Sequence, residues 1–444
     1  MKTTETTINF STINKLAIPA IFAGIVEPLL SMTDAAIIGH IPKNATAALA
    51  AVGLAGSFIS ALVWGLSASS VAISSLVGQY LGKNKLLQLK PLVTQVFYGH
   101  IIFGLLLITL GYTFATTIFD LYKAKDLVHH YAVVYFEIRV FGVLFTLLTL
   151  FMFGVFRGLQ NTVTAMYISW SGFIINVVLS LIFVYLLDYG IAGAAYASLI
   201  AQVTMFALAL YFLLKNTVFD LKYKKENHTE MPYFLKLFFN FIARTFFINL
   251  VLFLANRQAT SYGKNYIAAQ TIAINIWLFS SFFIDGYANA GNALSGKLLG
   301  EQSHKKLWTL SLKVTKYSVF AAVFLMAIYS IFYKQIVATF IDKTAVQTVF
   351  LQFFWLVILM QPINAIAFAL DGVFKGLGKA VLLRNLLFGA TFFGFIPTLF
   401  IADYYGLKMY SIWLAFAVWM LARAGVLFFY MKGVYKVERE KFIK

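Results

Sequence analysis

Twelve stretches of this chain are each about twenty or more residues long and almost wholly apolar, which lets each cross a hydrocarbon core roughly 30 Å thick as a helix. Lipid offers no partner to a backbone N–H or C=O, so such stretches must satisfy their own hydrogen bonds as helices. The predicted spans are 14–38, 45–77, 91–119, 129–156, 163–187, 190–214, 233–256, 265–295, 315–341, 345–373, 382–402 and 409–431. Composition excludes a soluble globule: 61% of residues are hydrophobic and 12% charged, against about a quarter charged in an ordinary soluble domain. The chain is read as an all-α integral membrane protein. Cysteine is absent, which removes disulfide frameworks, thiol catalysis and Cys-bound zinc or iron-sulfur clusters. The histidines, His40, His100, His129, His130, His228 and His304, show no HExxH spacing. His129 and His130 would point about 100° apart on a helix and are read as a solvated loop pair. Neither a resident metal nor a cofactor is expected.

The first span follows a polar leader, 1–13, without a small-residue cleavage site, and reads as retained. Lysines gather in loops on the same side as that leader: Lys83, Lys85 and Lys90; Lys215, Lys222, Lys224 and Lys225; Lys305 and Lys306; and the tail from Lys432 to Lys444. The positive-inside rule then places both termini in the cytoplasm of a multi-pass plasma (inner) membrane protein. That placement accounts for the net charge of +18 through loops beside lipid headgroups, with no need of a nucleic-acid partner. A monomer in contact with membrane lipid is expected.

The chain also repeats itself. Leu49-Ala50-Ala51 returns as Ile267-Ala268-Ala269, Gly78-Gln79-Tyr80-Leu81-Gly82 as Gly296-Lys297-Leu298-Leu299-Gly300, and Phe156-Arg157-Gly158-Leu159 as Phe374-Lys375-Gly376-Leu377, each 218 residues later. One constant offset across three loops requires two halves with matched helix lengths. Each half holds an even number of spans, so the halves are related by an axis along the membrane normal, as in transporters that rock two bundles about a central site. The expected organisation is a leader (1–13), an N-lobe (14–214), a cytoplasmic linker (215–232), a C-lobe (233–431) and a basic tail (432–444). The paired glycines near the ends of the second and eighth spans are expected to cap those helices and turn the chain.

Ionisable groups inside spans are costly and need a protein partner, water or a function. Eight stand out: Glu27, Asp34, Glu137, Arg139, Arg244, Asp285, Asp371 and Arg423. Glu27 and Asp34 are seven apart and return to within about 20° of one helical face, so both can look into one cavity. Pro19 and Pro28 lie in the same helix, where each removes a hydrogen bond and favours a bend. A carboxylate on a bendable helix is a plausible proton carrier. Asn176 and Ser180 share a face at i and i+4, and Ser198 adds a hydroxyl; small polar residues of this kind also serve as helix-to-helix glue. Arg244 and Arg423 need acceptors, with Asp285 and Asp371 the natural partners in a C-lobe charge network. Glu137 and Arg139 face different directions and are expected to pair with other elements.

These residues resemble the multidrug and toxic compound extrusion (MATE) transporters over essentially the whole chain. The matching pattern is Pro19, Thr33-Asp34, Gly39, the Ala-rich 47–53, Gly78 to Gly82, Arg157-Gly158-Leu159-Gln160-Asn161-Thr162, Asn176 and Gly190-Ile191-Ala192-Gly193-Ala194-Ala195. Phe283-Ile284-Asp285-Gly286-Tyr287-Ala288 and Arg244-Thr245 resemble the DinF-like branch. The resemblance implies twelve helices in two pseudo-symmetric six-helix lobes around a cavity that opens to alternate sides. It also implies export of organic cations against protons or sodium, with the Asp34 position central to coupling. Two departures matter: Ser180 stands where some members carry a second carboxylate, and Asn292 where many DinF-like relatives would carry glutamate. The first weakens a sodium site near Asp34 and Asn176, where Ser198 stands in the place of a threonine; the second removes a C-lobe coupling group.

The expected function is therefore a non-enzymatic antiporter for lipophilic organic cations, proton-coupled through Asp34, with sodium coupling as the alternative. A lipid-linked precursor flippase of the wider superfamily would need an anionic headgroup site, and the spans supply only Arg139, Arg244 and Arg423. A membrane transferase would need a His or Asp pair at the membrane surface, usually with a sizeable extramembrane domain; neither is visible.

Overall fold

The computed structural model describes residues 7–41, 44–122, 124–222, 229–341 and 343–441, with side chains described as far as Gly433. The leader's first six residues, Lys224, Lys225 and Glu226 of the connecting segment, and the tail side chains beyond Gly433 lie outside this description. Twelve helices have the length and apolarity of membrane spans. They are α1 (Phe10–Gly39), α2 (Ala45–Gly82), α3 (Leu86–Thr113), α4 (Asp126–Gly158), α5 (Thr162–Leu186), α6 (Gly190–Asn216), α7 (Met231–Ser261), α8 (Lys264–Gly300), α9 (His304–Phe340), α10 (Thr344–Gly376), α11 (Ala380–Tyr404) and α12 (Met409–Gly433). The fold is all-helical, with α1–α6 forming one lobe and α7–α12 the other.

Several elements differ from the sequence reading for identifiable reasons. Helix α9 starts eleven residues before its predicted span, at His304, because the early turns carry Lys305, Lys306 and Lys313 and fall below an apolar threshold while remaining good helix formers. His129 and His130 belong to the first turns of α4, not to a loop; His129 Nε2 approaches Asp120 Oδ1 at 3.1 Å. Helix α1 stays continuous through Pro19 and Pro28. The interruption falls instead in α2, at Ser67, between Ala45–Leu66 and Ala68–Gly82. There Ser67 Oγ donates to Trp64 O at 2.7 Å and Ser69 Oγ to Leu66 O at 3.1 Å, back-bonding that bends helices. The segment after α6 is tied down: Phe219 is buried in the core and Asp220 accepts from Lys90 at 3.5 Å.

The repeat in sequence becomes a two-fold axis in space. Ser74 Oγ of α2 donates to Asn292 Oδ1 of α8 at 2.9 Å, and these are equivalent residues, 218 apart. A Cβ on Gly78 would stand 3.4 Å from Gly296 Cα, and the reverse distance is the same. Farther along, a Cβ on Gly82 would overlap Lys297 O and one on Gly300 would overlap Gln79 O. The expected capping role is therefore corrected. These glycines lie within their helices and let the two backbones touch; the left-handed residues that turn the chain are Asn84 (φ 54°) and Gln302 (φ 55°). Three more left-handed pairs obey the same offset, Gln160 with Gly378, Asp188 with Gly406 and Gly190 with Lys408. Within each lobe the correspondence continues: a Cβ on Gly154 would meet Ser70 O, and one on Gly372 would meet Ala288 O.

Candidate functional site

The α2–α8 crossing closes the lobes together at the end that carries the first residues of α1. Cross-lobe hydrogen bonds gather there: Ser75 Oγ to Gly376 O at 2.9 Å, Gln79 Nε2 to Gly376 O at 3.3 Å, and Tyr80 Oη to Glu230 Oε1 at 2.7 Å. At middle depth α1 lies against α8, where Gly24 faces Phe282 and a Cβ on Gly286 would meet Ala17 O. Asp34 lies beyond that contact, in the last turns of α1, towards the opposite end of the bundle.

Asp34 is 7% exposed, and its Oδ1 has no hydrogen-bond partner. The Arg139 guanidinium of α4 lies within electrostatic range without closing to an ion pair. Arg139 rests on its own helix's Tyr135 ring, 5.9 Å from the centroid, and its Nε is likewise unpartnered. Tyr135 is 3% exposed, and Arg139, Ser198 and Asp34 all act on its hydroxyl. Asn176 Nδ2 donates to Ser198 Oγ at 2.9 Å, which leaves Asn176 Oδ1 and the neighbouring Ser180 Oγ without partners in a fully buried position. The N-lobe therefore holds an enclosed polar patch of one carboxylate, one guanidinium and several neutral oxygens. Unpaired polar atoms at this depth each cost about 1–3 kcal/mol.

Glu27 does not join it. Its Oε1 accepts from Trp64 Nε1 of α2 at 3.0 Å and its side chain is exposed. Glu27 is thus held at an exposed position against α2, while Asp34 is buried within the lobe. The expectation that both share one cavity is corrected by this separation. Arg139 lies near Asp34 of another helix, as expected, and also over Tyr135 of its own, while Glu137 is half-buried on α4.

The C-lobe charges form a different kind of site. Arg244 grips Asp371 with two bonds, Nε to Oδ1 at 3.2 Å and Nη2 to Oδ2 at 2.7 Å. Lys375, one turn on, adds a contact to Oδ2 at 2.8 Å. Sequence reasoning offered Asp285 and Asp371 together as partners for Arg244 and Arg423 without assigning pairs, and it missed Lys375, whose place at the Arg157 position of the repeated motif was the available signal. Arg423 is not paired as expected. It is 1% exposed and lies over the rings of Trp419 (4.6 Å) and Phe368 (5.2 Å), with Nη1 against Met420 Sδ at 3.2 Å. Aromatic faces and distant carboxylates together offset its desolvation. Asp285 is half-buried on α8, within electrostatic range of Lys375, Arg244, Arg423 and, from the other lobe, Arg157. Asn292, read as a lost coupling group, is the cross-lobe partner of Ser74 described above. Among the described residues no cluster of three or more His, Cys, Asp or Glu side chains could hold a metal ion.

Known proteins share the fold that carries these residues. The MatE family model matches residues 19–182 and 241–400. Protein DETOXIFICATION 43 of Arabidopsis thaliana is 29% identical over 290 residues, 65% of this chain and 54% of that protein. DNA damage-inducible protein F of Escherichia coli strain K12 is 24% identical over 413 residues, 92% of this chain and 89% of that protein. The chain thus spans little more than half of the first relative and most of the second. Among solved structures, a multidrug resistance MATE family transporter of the MOP superfamily in an outward-facing conformation superposes with a TM-score of 0.88 at 21% identity, over 97% of this chain and 96% of the other. A MATE crystallised in a bent conformation superposes with a TM-score of 0.90 at 20% identity, over 98% and 97%. At these identities the likeness is one of fold.

Proposed function

The chain belongs to the MatE family, and we propose that it is a secondary active antiporter that exports lipophilic organic cations in exchange for protons, with Asp34 holding proton and cargo in turn. The observation that carries this reading is the buried, incompletely bonded Asp34 carboxylate, within electrostatic range of Arg139 but not locked to it. A carboxylate committed to a permanent partner cannot exchange ligands; this one has an oxygen free to do so.

The exchange follows from competition. Ionised Asp34 favours a cation in the cleft, and a proton arriving from the far side discharges that attraction and frees the cargo. Opening of the lobes at the α2–α8 contact then exposes the carboxyl to the opposite side, where losing the proton restores the charge. Two ligands that exclude one another at a single charge give obligatory exchange. One proton in for one monovalent cation out moves no net charge; a second proton would add about 2.3 kcal/mol per 100 mV. The orientation fits both termini in the cytoplasm of the plasma membrane, with the lobes closed on that side. The name of the outward-facing relative, a multidrug resistance transporter, supports small organic substrates, and aromatic walls would hold flat cations by burial and cation–π attraction.

Sodium coupling is the second reading, favoured by the unpartnered Asn176 Oδ1 and Ser180 Oγ, which are hard oxygen donors. An anionic-headgroup flippase is less well supplied, since Arg244 and Lys375 are committed to Asp371 and Arg423 to its rings. The test is accumulation of a fluorescent organic cation in inverted vesicles under separately imposed gradients. Parent protein is expected to accumulate the dye on a proton gradient and Asp34→Asn, equally inserted, to lose it. Accumulation on a sodium gradient alone, with pH equal on both sides, would reassign the coupling ion.

A further inference from the structure

Away from the N-lobe patch, at the end of the bundle that carries the first turn of α7, a cavity of about 370 Å³ opens between α7, α11 and α12. Its charged lining consists of Lys236 and Lys379, with no carboxylate; Tyr233, Asn385 and Tyr430 supply the other polar side chains. Both lysines are exposed, so their ammonium groups are available to a ligand. Lys379 is also the N-cap of α11, and as a cation it cannot accept from the first turn's N–H groups. The adjoining residues Ala380, Val381 and Leu382, whose N–H groups have no intrahelical partner, line the same cavity. Both charged groups at the mouth are thus cations, the first-turn N–H groups beside them are donors, and the amide oxygen of Asn385 is occupied by Arg384. Leu235 and Val381 are exposed at the level of the mouth, and Phe239 and Phe388, farther along α7 and α11 towards the bilayer centre, are exposed as well.

We propose that this cavity binds the headgroup of an anionic phospholipid, with the acyl chains lying along the exposed faces of α7 and α11. The three helices all begin or end here, which puts the lysines at headgroup depth, and tyrosines at that depth suit an interface with one wet and one greasy side. A basic pocket between spanning helices, open to lipid, is the arrangement that recognises an acidic headgroup. A free phosphate would satisfy the lysines but leave the apolar groove without a purpose. The site also borders the contact between lobes: Tyr233, in its wall, and Gln79 of α2 both lie against Gly378. A lipid seated there would brace the closed arrangement of that end.

The test uses the full chain purified in a neutral detergent, with its thermal unfolding midpoint followed during titration with phosphatidylglycerol, phosphatidylcholine of the same acyl chains, or inorganic phosphate. Phosphatidylglycerol is expected to raise the midpoint, less so in high salt, and the other two to leave it unchanged. In Lys236→Gln/Lys379→Gln the affinity for phosphatidylglycerol should fall about thirty-fold, about 2 kcal/mol for two lysines at a charged surface. The double Lys→Arg variant should keep it. An undiminished response in the glutamine variant, a parent response indifferent to salt, or an equal response to phosphatidylcholine would overturn the proposal. An equal response to inorganic phosphate would give the pocket to a free anion instead.

Discussion

The residues that carry charge inside this bundle divide into those that are held and those that are free. Asp371 is held by Arg244 and Lys375 at hydrogen-bond distance, and breaking a buried group of this kind leaves uncompensated charge costing about 3–5 kcal/mol. Asp371→Asn is therefore expected to lower the unfolding midpoint sharply, and Asp285→Asn, which breaks no direct ion pair, to lower it much less. Equal effects would mean that the Arg244 bonds are not what stabilises the C-lobe. In the N-lobe, Asn176→Ala with Ser180→Ala removes the two unpartnered oxygens while leaving Asp34 in place. Proton-driven export should survive this change, whereas sodium-driven export, if it existed, should not. These contrasts were only partly legible in the sequence. Asp34 and Asp371 are both lone carboxylates in apolar helices, and nothing along the chain says that one meets a bidentate guanidinium and the other a guanidinium that stops short.

At the scale of elements, helix lengths were readable because a hydrophobic run of sufficient length leaves little choice in lipid. The role of the glycines was not. Gly82 and Gly56 are both glycines of α2, yet a Cβ at Gly82 would overlap Lys297 O, whereas one at Gly56 meets nothing within 4 Å. Gly82→Ala and Gly300→Ala are expected to destabilise the protein by about 1–3 kcal/mol or more through overpacking and to impair transport by holding the lobes apart. Gly56→Ala should be neutral or gain up to about 1 kcal/mol from helix propensity. Thermal unfolding of the three variants, with export measured on each, checks the ordering. The interruption of α2 at Ser67 was equally hidden, since two prolines drew attention to α1 and nothing along the chain marked Ser67.

The whole molecule is two copies of one plan meeting along an axis between α2 and α8, and alternating access requires that meeting to be broken and remade. The chain lacks cysteine, so a disulfide can be introduced without background. Gly78 and Gly296 face one another at 3.4 Å from projected Cβ to opposing Cα, close enough for the Cβ separation of about 3.5–4.5 Å that a disulfide needs. Gly78→Cys with Gly296→Cys is expected to export normally when reduced, to stop when oxidised, and to recover on reduction. Export that persists in the cross-linked protein would show that this end does not open during transport.

What the sequence settled alone was the solvent and the plan. Twelve apolar runs force twelve helices because lipid leaves no other way to satisfy the backbone, and a constant offset between like motifs forces two like halves. What only the tertiary structure decided was who meets whom. Whether a carboxylate is clamped, as Asp371 is, or left with a free oxygen, as Asp34 is, depends on side chains more than a hundred residues away. The same holds for the glycines of α2 and α8, whose missing side chains matter only because another backbone comes to lie against them.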